Sequence, residues 1–197
     1  IVLTILSKNS KLLIRNININ PSRIGIIEIL KKMGASIKMI NKKNYKGEKI
    51  ADILVKSSEN LNAINCPTKF NSSAIDEFLV IWLVAARAKG MSTFKNLSEL
   101  NQKESPRLMW GSKILGLMGI KNKVTDSSIK IYGNPNISIK KNIVIKNFLK
   151  DHRVFMMSAI AALTFGGSWK ISDINSVKTS FPSFLKILKN IEYNSAK

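Results

Sequence analysis

The chain contains one cysteine, Cys66, and one histidine, His152. A lone cysteine excludes an internal disulfide framework, and with a single histidine beside it no zinc-ligand set can be assembled. Acids are scarce as well: 12 Asp plus Glu stand against 32 Lys plus Arg, a net charge of +20. Long apolar runs are missing. The longest uncharged apolar stretch, Val154 to Gly167, falls short of the roughly 20 residues needed to cross a bilayer. It reads instead as a helix buried in protein, and no membrane partner is expected. No signal-peptide pattern is found. The positive charge comes without an arginine-rich tract and without the run of glycine and aromatic residues found in RNA-binding sheets. A lysine-rich solvated exterior therefore explains it better than a nucleic-acid surface, although such a field still helps to attract small polyanions.

The apolar material that is present, 45% of 197 residues, suffices for one sizeable core. Because the first residue is Ile1 rather than Met, and Ile1 to Leu6 reads as the end of a helix already under way, the expectation is the C-terminal part of a longer polypeptide.

A plan of short strand, polar stretch and helix occurs three times. Strands are expected at 11–17, 91–97 and 169–174. They lead through Asn20-Pro21-Ser22-Arg23, Lys103 to Arg107 and Lys178 to Phe181 into helices that end at Met33-Gly34, at Met118-Gly119 and near Ile191. Ile17, Leu97 and Ile174 stand about 80 residues apart, a period that fits a supersecondary unit and not a thin solenoid. Pro21, Pro106 and Pro182 fall near the three helix starts, where a missing N–H costs little, and Asn20 and Ser105 are placed as N-caps. Between these segments, 76–89 and 151–165 are apolar on nearly all faces and should be interior helices. The stripes Ile26-Ile27-Leu30-Met33 and Ile114-Leu115-Met118 mark outer helices. Alternation at Ala51 to Val55 and Ser128 to Tyr132 supplies further strands, and Asn134-Pro135 a turn. The fold class is α/β: repeated β-α-β-α-β-β units with buried helices packed together and sheets outside them.

Three helix starts carry chemistry: Asp76 with Glu77, Lys103-Glu104 with Arg107, and Asp151-His152-Arg153. A charge at the mouth of a buried helix is expensive unless it has a partner or a task. Asp76 is placed to cap its helix, and a partly desolvated carboxylate there also suits acid–base work. Arg107 matches phosphate or carboxylate with its forked donors, at a helix start that favours anions. His152 can shuttle a proton or position a neighbour.

The segments Asn20-Pro21-Ser22-Arg23-Ile24-Gly25, Ser73-Ala74-Ile75-Asp76-Glu77, Lys103-Glu104-Ser105-Pro106-Arg107, Asp151-His152-Arg153 and Thr179-Ser180-Phe181-Pro182 follow one another in the order seen in EPSP synthases. The chain resembles that family over nearly its whole length. It also resembles the sister enzymes that transfer enolpyruvate to UDP-N-acetylglucosamine, but the Lys-Glu-Ser and Asp-His-Arg signatures point away from them. A basic nucleic-acid-binding module on an enzyme-like fold is the alternative of a different class.

The resemblance implies a cytoplasmic transferase of the shikimate pathway, with two domains and substrates in the cleft between them. Residues 1–197 would be most of its C-terminal domain, partnered by an N-terminal domain that this chain lacks. In the implied reaction the 5-hydroxyl of shikimate 3-phosphate attacks C2 of phosphoenolpyruvate while C3 takes a proton. The tetrahedral intermediate then loses phosphate. Asp76 would contact or deprotonate the attacking hydroxyl, and Glu104 would exchange the proton at the methylene carbon. Lys103 would lie near the reacting oxygens, Arg107 and Arg153 would hold the phosphoenolpyruvate anion, and His152 would support Glu104. No metal or organic cofactor is implied. Three positions depart from the family's usual pattern. Pro106 stands where Asp is common, Asn101-Gln102 where arginine-valine is common, and Thr179 where some members have lysine, which makes Lys178 the candidate for that substrate-binding role.

Overall fold

In the computed structural model of the protein, residues 1–195 are described, the last five by their backbone alone. The chain starts with a short buried helix α1 (Val2–Leu6). Strand β1 (Lys11–Asn18), helix α2 (Gly25–Lys32) and the hairpin β2 (Ile37–Tyr45) and β3 (Glu48–Lys56) follow, and β3 lies between β1 and β2 in an antiparallel sheet. The alternation of β3 explains its orientation: Ile53 and Val55 turn into the core while Asp52 and Lys56 do not.

The second unit is complete. An extended stretch at 61–66 bonds in parallel to the strand beyond it, through Ala63 N–H to Lys89 O and Cys66 N–H to Thr93 O. Then come α3 (Asn71–Ala74), α4 (Phe78–Arg87), β4 (Gly90–Phe94), α5 (Arg107–Leu117), β5 (Asn122–Val124) and β6 (Ile129–Gly133), with sheet order β4-β6-β5. This is the β-α-β-α-β-β plan expected from the repeat. The third unit shows β7 (Ile139–Ile145), α6 (His152–Phe165), β8 (Gly166–Ile171) parallel to β7, and α7 (Phe184–Ser195).

Interior helices α4 and α6 lie where their uninterrupted apolar sequence predicts. Phe78, Trp82 and Phe94 meet as an aromatic cluster, with Phe78 and Phe94 edge to face at 5.9 Å. Helix α5 lies close on α4 because Gly111 faces Trp82. A Cβ at Gly111 would fall 2.3 Å from the indole ring, so no side chain fits there.

Several local expectations are corrected. Ser105 and Asn20 are not helix caps. Ser105 Oγ points inward to a carboxylate, and Asn20 Oδ1 instead accepts from Ser22 N–H and Oγ–H in a turn ahead of α2. Asn and Ser serve buried networks and turns as readily as helix ends, and here those partners win. The strand expected at 169–174 is drawn back to 166–171, because Gly166 and Gly167 adopt positive φ and continue directly from α6. The strand expected at 91–97 ends at Phe94, since Asn96 turns left-handed.

Candidate active site

The three interior helices run the same way. Ile1, Val2 and Leu3 of α1, Leu79 and Val80 of α4 and Met156 of α6 share a cavity of about 340 Å³ with Asp76, Glu77 and Arg153. At the other end Arg87, the last residue of α4, donates to the carbonyls of Leu6 (3.4 Å) and Thr164 (2.6 Å), the closing residues of α1 and α6. The starts of α4 and α6 thus open toward one mouth, where partial positive charge accumulates.

Arg107, the first residue of α5, is only 2% exposed, and it organises this mouth. Its Nε donates to Asp151 Oδ2 at 2.9 Å, Nη1 to Asp76 Oδ1 at 3.1 Å, and Nη2 to Glu104 Oε2. Asp151 is wholly buried and caps α6, accepting from Arg153 N–H at 2.9 Å and from Ser105 Oγ–H at 2.9 Å. Burial pushes this carboxyl up, but the bonds and charge of Arg107 with the Ser105 and Arg153 donors overcome it. The Asp151 carboxyl is therefore held below its ordinary value.

Arg153 reaches back to the start of α4. Its Nη1 donates to Asp76 O at 2.6 Å and lies 3.5 Å from Glu77 Oε1, and its Nη2 lies 3.5 Å from Asp76 Oδ2. Asp76 sits in a 3₁₀ turn, Ile75–Glu77, and its carboxylate bonds to Arg107 instead of capping a helix. His152 Nδ1 lies 3.9 Å from Glu104 Oε1, so Glu104 stands between a permanent cation and the imidazole.

The chain therefore brings together Asp76, Glu104, His152, Arg107 and Arg153, three helices apart in sequence. Lys103 flanks the group but pairs with Glu99 Oε1 at 2.6 Å. Lys178 ends the 3₁₀ turn Ile174–Lys178 and is exposed, joined to the cluster by none of the described ion pairs. Sequence reasoning named Asp151 within its helix-start cluster but gave it no role of its own. The signal was there, an acid immediately ahead of an apolar run. Among the described residues, no grouping of three or more His, Cys, Asp or Glu could hold a metal ion. None of the described helices is long and apolar enough to cross a membrane.

This arrangement, parallel buried helices whose starts carry interlocked carboxylates and arginines inside β-α-β-α-β-β units, is that of the enolpyruvyl transferase fold. The enolpyruvyl transferase NikO from Streptomyces tendae superposes with a TM-score of 0.68 over 94% of this chain and 39% of that one, at 14% identity, which speaks to the fold alone. EPSP synthase from Acinetobacter baumannii superposes with a TM-score of 0.90 at 34% identity, covering 96% of this chain and 43% of that one. The profile of the EPSP synthase (3-phosphoshikimate 1-carboxyvinyltransferase) family matches residues 1–188, and the chain belongs to that family. A 3-phosphoshikimate 1-carboxyvinyltransferase of Ruthia magnifica subsp. Calyptogena magnifica is 42% identical over 178 residues, 90% of this chain and 40% of the relative. The chain thus spans about two fifths of the length of the curated relatives it matches.

Proposed function

We propose that residues 1–197 form most of the C-terminal domain of a cytoplasmic 3-phosphoshikimate 1-carboxyvinyltransferase. The enzyme transfers the enolpyruvyl group of phosphoenolpyruvate to the 5-hydroxyl of shikimate 3-phosphate and releases phosphate. The convergence of Asp76, Glu104, Arg107 and Arg153 at one mouth carries the reading. Asp76 takes the proton of the attacking hydroxyl, and Glu104 delivers and removes the proton at the methylene carbon, with His152 beside it. Arg107 and Arg153 receive the phosphoenolpyruvate anion, with Lys103 and Lys178 approaching from the flanks.

The charges at the mouth explain why a second domain belongs to this reading. Four carboxylates, Asp76, Glu77, Glu104 and Asp151, meet two guanidinium groups, Arg107 and Arg153. Each phosphate monoester brings roughly −1.5 to −2 more at neutral pH. Cations from an opposing N-terminal domain are needed before two such substrates can settle there.

The test is phosphate release from phosphoenolpyruvate. The full-length enzyme is expected to be active with shikimate 3-phosphate and inactive with UDP-N-acetylglucosamine, while the 197-residue chain alone is inactive. In the full-length enzyme, Glu104→Gln should lower kcat by roughly 100-fold or more with KM little changed. An unchanged kcat would remove Glu104 from proton transfer. Turnover with the nucleotide sugar would reassign the acceptor.

A further inference from the structure

The segment Asn20-Pro21-Ser22-Arg23-Ile24-Gly25 takes no part in the proton transfers, yet Asn20, Ser22, Arg23 and Gly25 build one feature beside Asp76. Asn20 Oδ1 closes a turn on Ser22, and Asn20 O accepts from Arg23 N–H at 2.9 Å. Gly25 lets the start of α2 close on α3, since a Cβ there would lie 2.2 Å from Ser73 Oγ. The consequence is a cavity of about 370 Å³ lined by Ser22, Arg23, Ser72, Ser73, Asp76 and Glu77. Asp76 and Glu77 also line the neighbouring cavity that Arg153 borders, so the two adjoin at the candidate site.

Arg23 is the repeat counterpart of Arg107. Each follows the strand that succeeds the interior helix of its unit (β4 after α4, β1 after α1), each stands at the start of an outer helix, and each faces the start of the next interior helix: α6 for Arg107, α4 for Arg23. Their states differ. Arg107 is buried and bonded to three carboxylates, whereas Arg23 is exposed and forms an ion pair with none of the described carboxylates. Its charge does reach the site. Glu77, held above its ordinary value by burial, is drawn back down by Arg153 and by Arg23. Asp76 and Glu77 are each engaged by Arg153, and Asp76 by Arg107 as well, which leaves the Arg23 guanidinium as the uncommitted fork on this wall.

Resting on the proposed function, we infer that Arg23 is a further substrate-binding residue, which holds an oxyanion of the acceptor, its carboxylate or its phosphate, on the Asp76 side of the site. A guanidinium there matches either group with paired donors. It also offsets the excess of carboxylates where the acceptor hydroxyl must approach Asp76.

The experiment is calorimetric titration of shikimate 3-phosphate into the full-length protein, with steady-state kinetics alongside. Arg23→Gln should weaken acceptor binding roughly ten-fold and raise its KM equally, leaving KM for phosphoenolpyruvate and kcat near wild type. Arg23→Lys should fall between, since it keeps the charge and loses the fork. Arg15→Gln, on exposed β1, is the charge-matched control and should change nothing. Titration with unphosphorylated shikimate separates the two groups: the loss persists if Arg23 holds the carboxylate and vanishes if it holds the phosphate. Wild-type acceptor affinity in Arg23→Gln, or an equal loss in Arg15→Gln, overturns the assignment while leaving the proposed function standing. A wild-type protein that binds the acceptor without turnover defeats the proposed function instead, and the Arg23 variants still report on binding. If the wild type does not bind the acceptor, both fall.

Discussion

Arg87 and Arg107 stand at opposite ends of α4 and α6, and the partners they find there differ in kind. Arg87 donates to two main-chain carbonyls and lies over the Phe165 ring, with its guanidinium carbon 4.6 Å from the ring centroid. These partners are fixed by the helices themselves, and the partial negative charge of helix C-termini repels anions. Arg107 instead is bonded to side-chain carboxylates on three separate segments. Side chains can exchange partners, and the helix starts favour anions. One arginine locks a fold. The other holds carboxylates from three segments in register at one mouth.

The strongest way to break this comparison is to remove the buried acid that anchors Arg107. Asp151→Asn leaves the Nε of a 2%-exposed guanidinium facing a neutral amide. Losing one member of a buried pair costs about 3–5 kcal/mol, readable by urea unfolding. Because the folded-state value of Asp151 is depressed, its contribution is complete above the unfolded carboxyl value of about 3.9 and is lost as pH falls through the folded value. The gap between wild type and variant should therefore close in acid. A cost below about 1 kcal/mol at pH 7, the level of an exposed pair, would mean that Asp76 and Glu104 suffice to hold Arg107.

At the far end, Arg87→Met removes two charge-assisted bonds to carbonyls while keeping much of the side-chain packing. The expected loss is about 2 kcal/mol in the same unfolding assay. Substrate KM values should not move, because the length of α4 separates Arg87 from the mouth, about 15 Å for ten residues. A change in KM without a change in stability would refute the division of labour between the two arginines.

How much of this was legible beforehand depends on whether a signal is local. The interior helices showed plainly, because 78–86 has no charged residue to place on a solvent side. Strands β3 and β6 followed from alternation, and β1 and β4 from the repeated plan of strand, polar stretch and helix. Strands β2, β5 and β7 were missed: their Lys and Asn residues dilute the pattern. The cluster itself was legible as a list because three helix starts repeat one layout of acids and cations, although each start taken alone reads first as a cap or a surface turn. Its wiring was not. That Ser105 turns to Asp151, 46 residues away, and that Lys103 turns to Glu99, is decided by tertiary packing that no spacing encodes. The role of Asp151 as the cap of α6 was encoded locally and could have been read.

The finest distinction sits within the mouth, between Asp151 and Glu77. Both are acids at the start of an interior helix, and both face an arginine. Asp151 accepts bonds from Arg107 and Ser105 and from the backbone N–H of Arg153, so pairing wins over burial. Glu77 has a single contact to Arg153 at 3.5 Å and the like charge of Asp76 beside it, so burial wins and its carboxyl is raised above its ordinary value. The signs are opposite. A raised folded-state value means that ionised Glu77 opposes folding at neutral pH, and that stability improves as pH falls through that value. Glu77→Gln should therefore be neutral or stabilising by less than about 1 kcal/mol at pH 7, with the difference shrinking as pH falls through the raised folded-state value and gone below the unfolded one. Unfolding midpoints at pH 7 and pH 4 decide it. A clear loss of stability in Glu77→Gln at pH 7 would show that Arg153 depends on Glu77 as Arg107 depends on Asp151, and that the two helix starts are built alike.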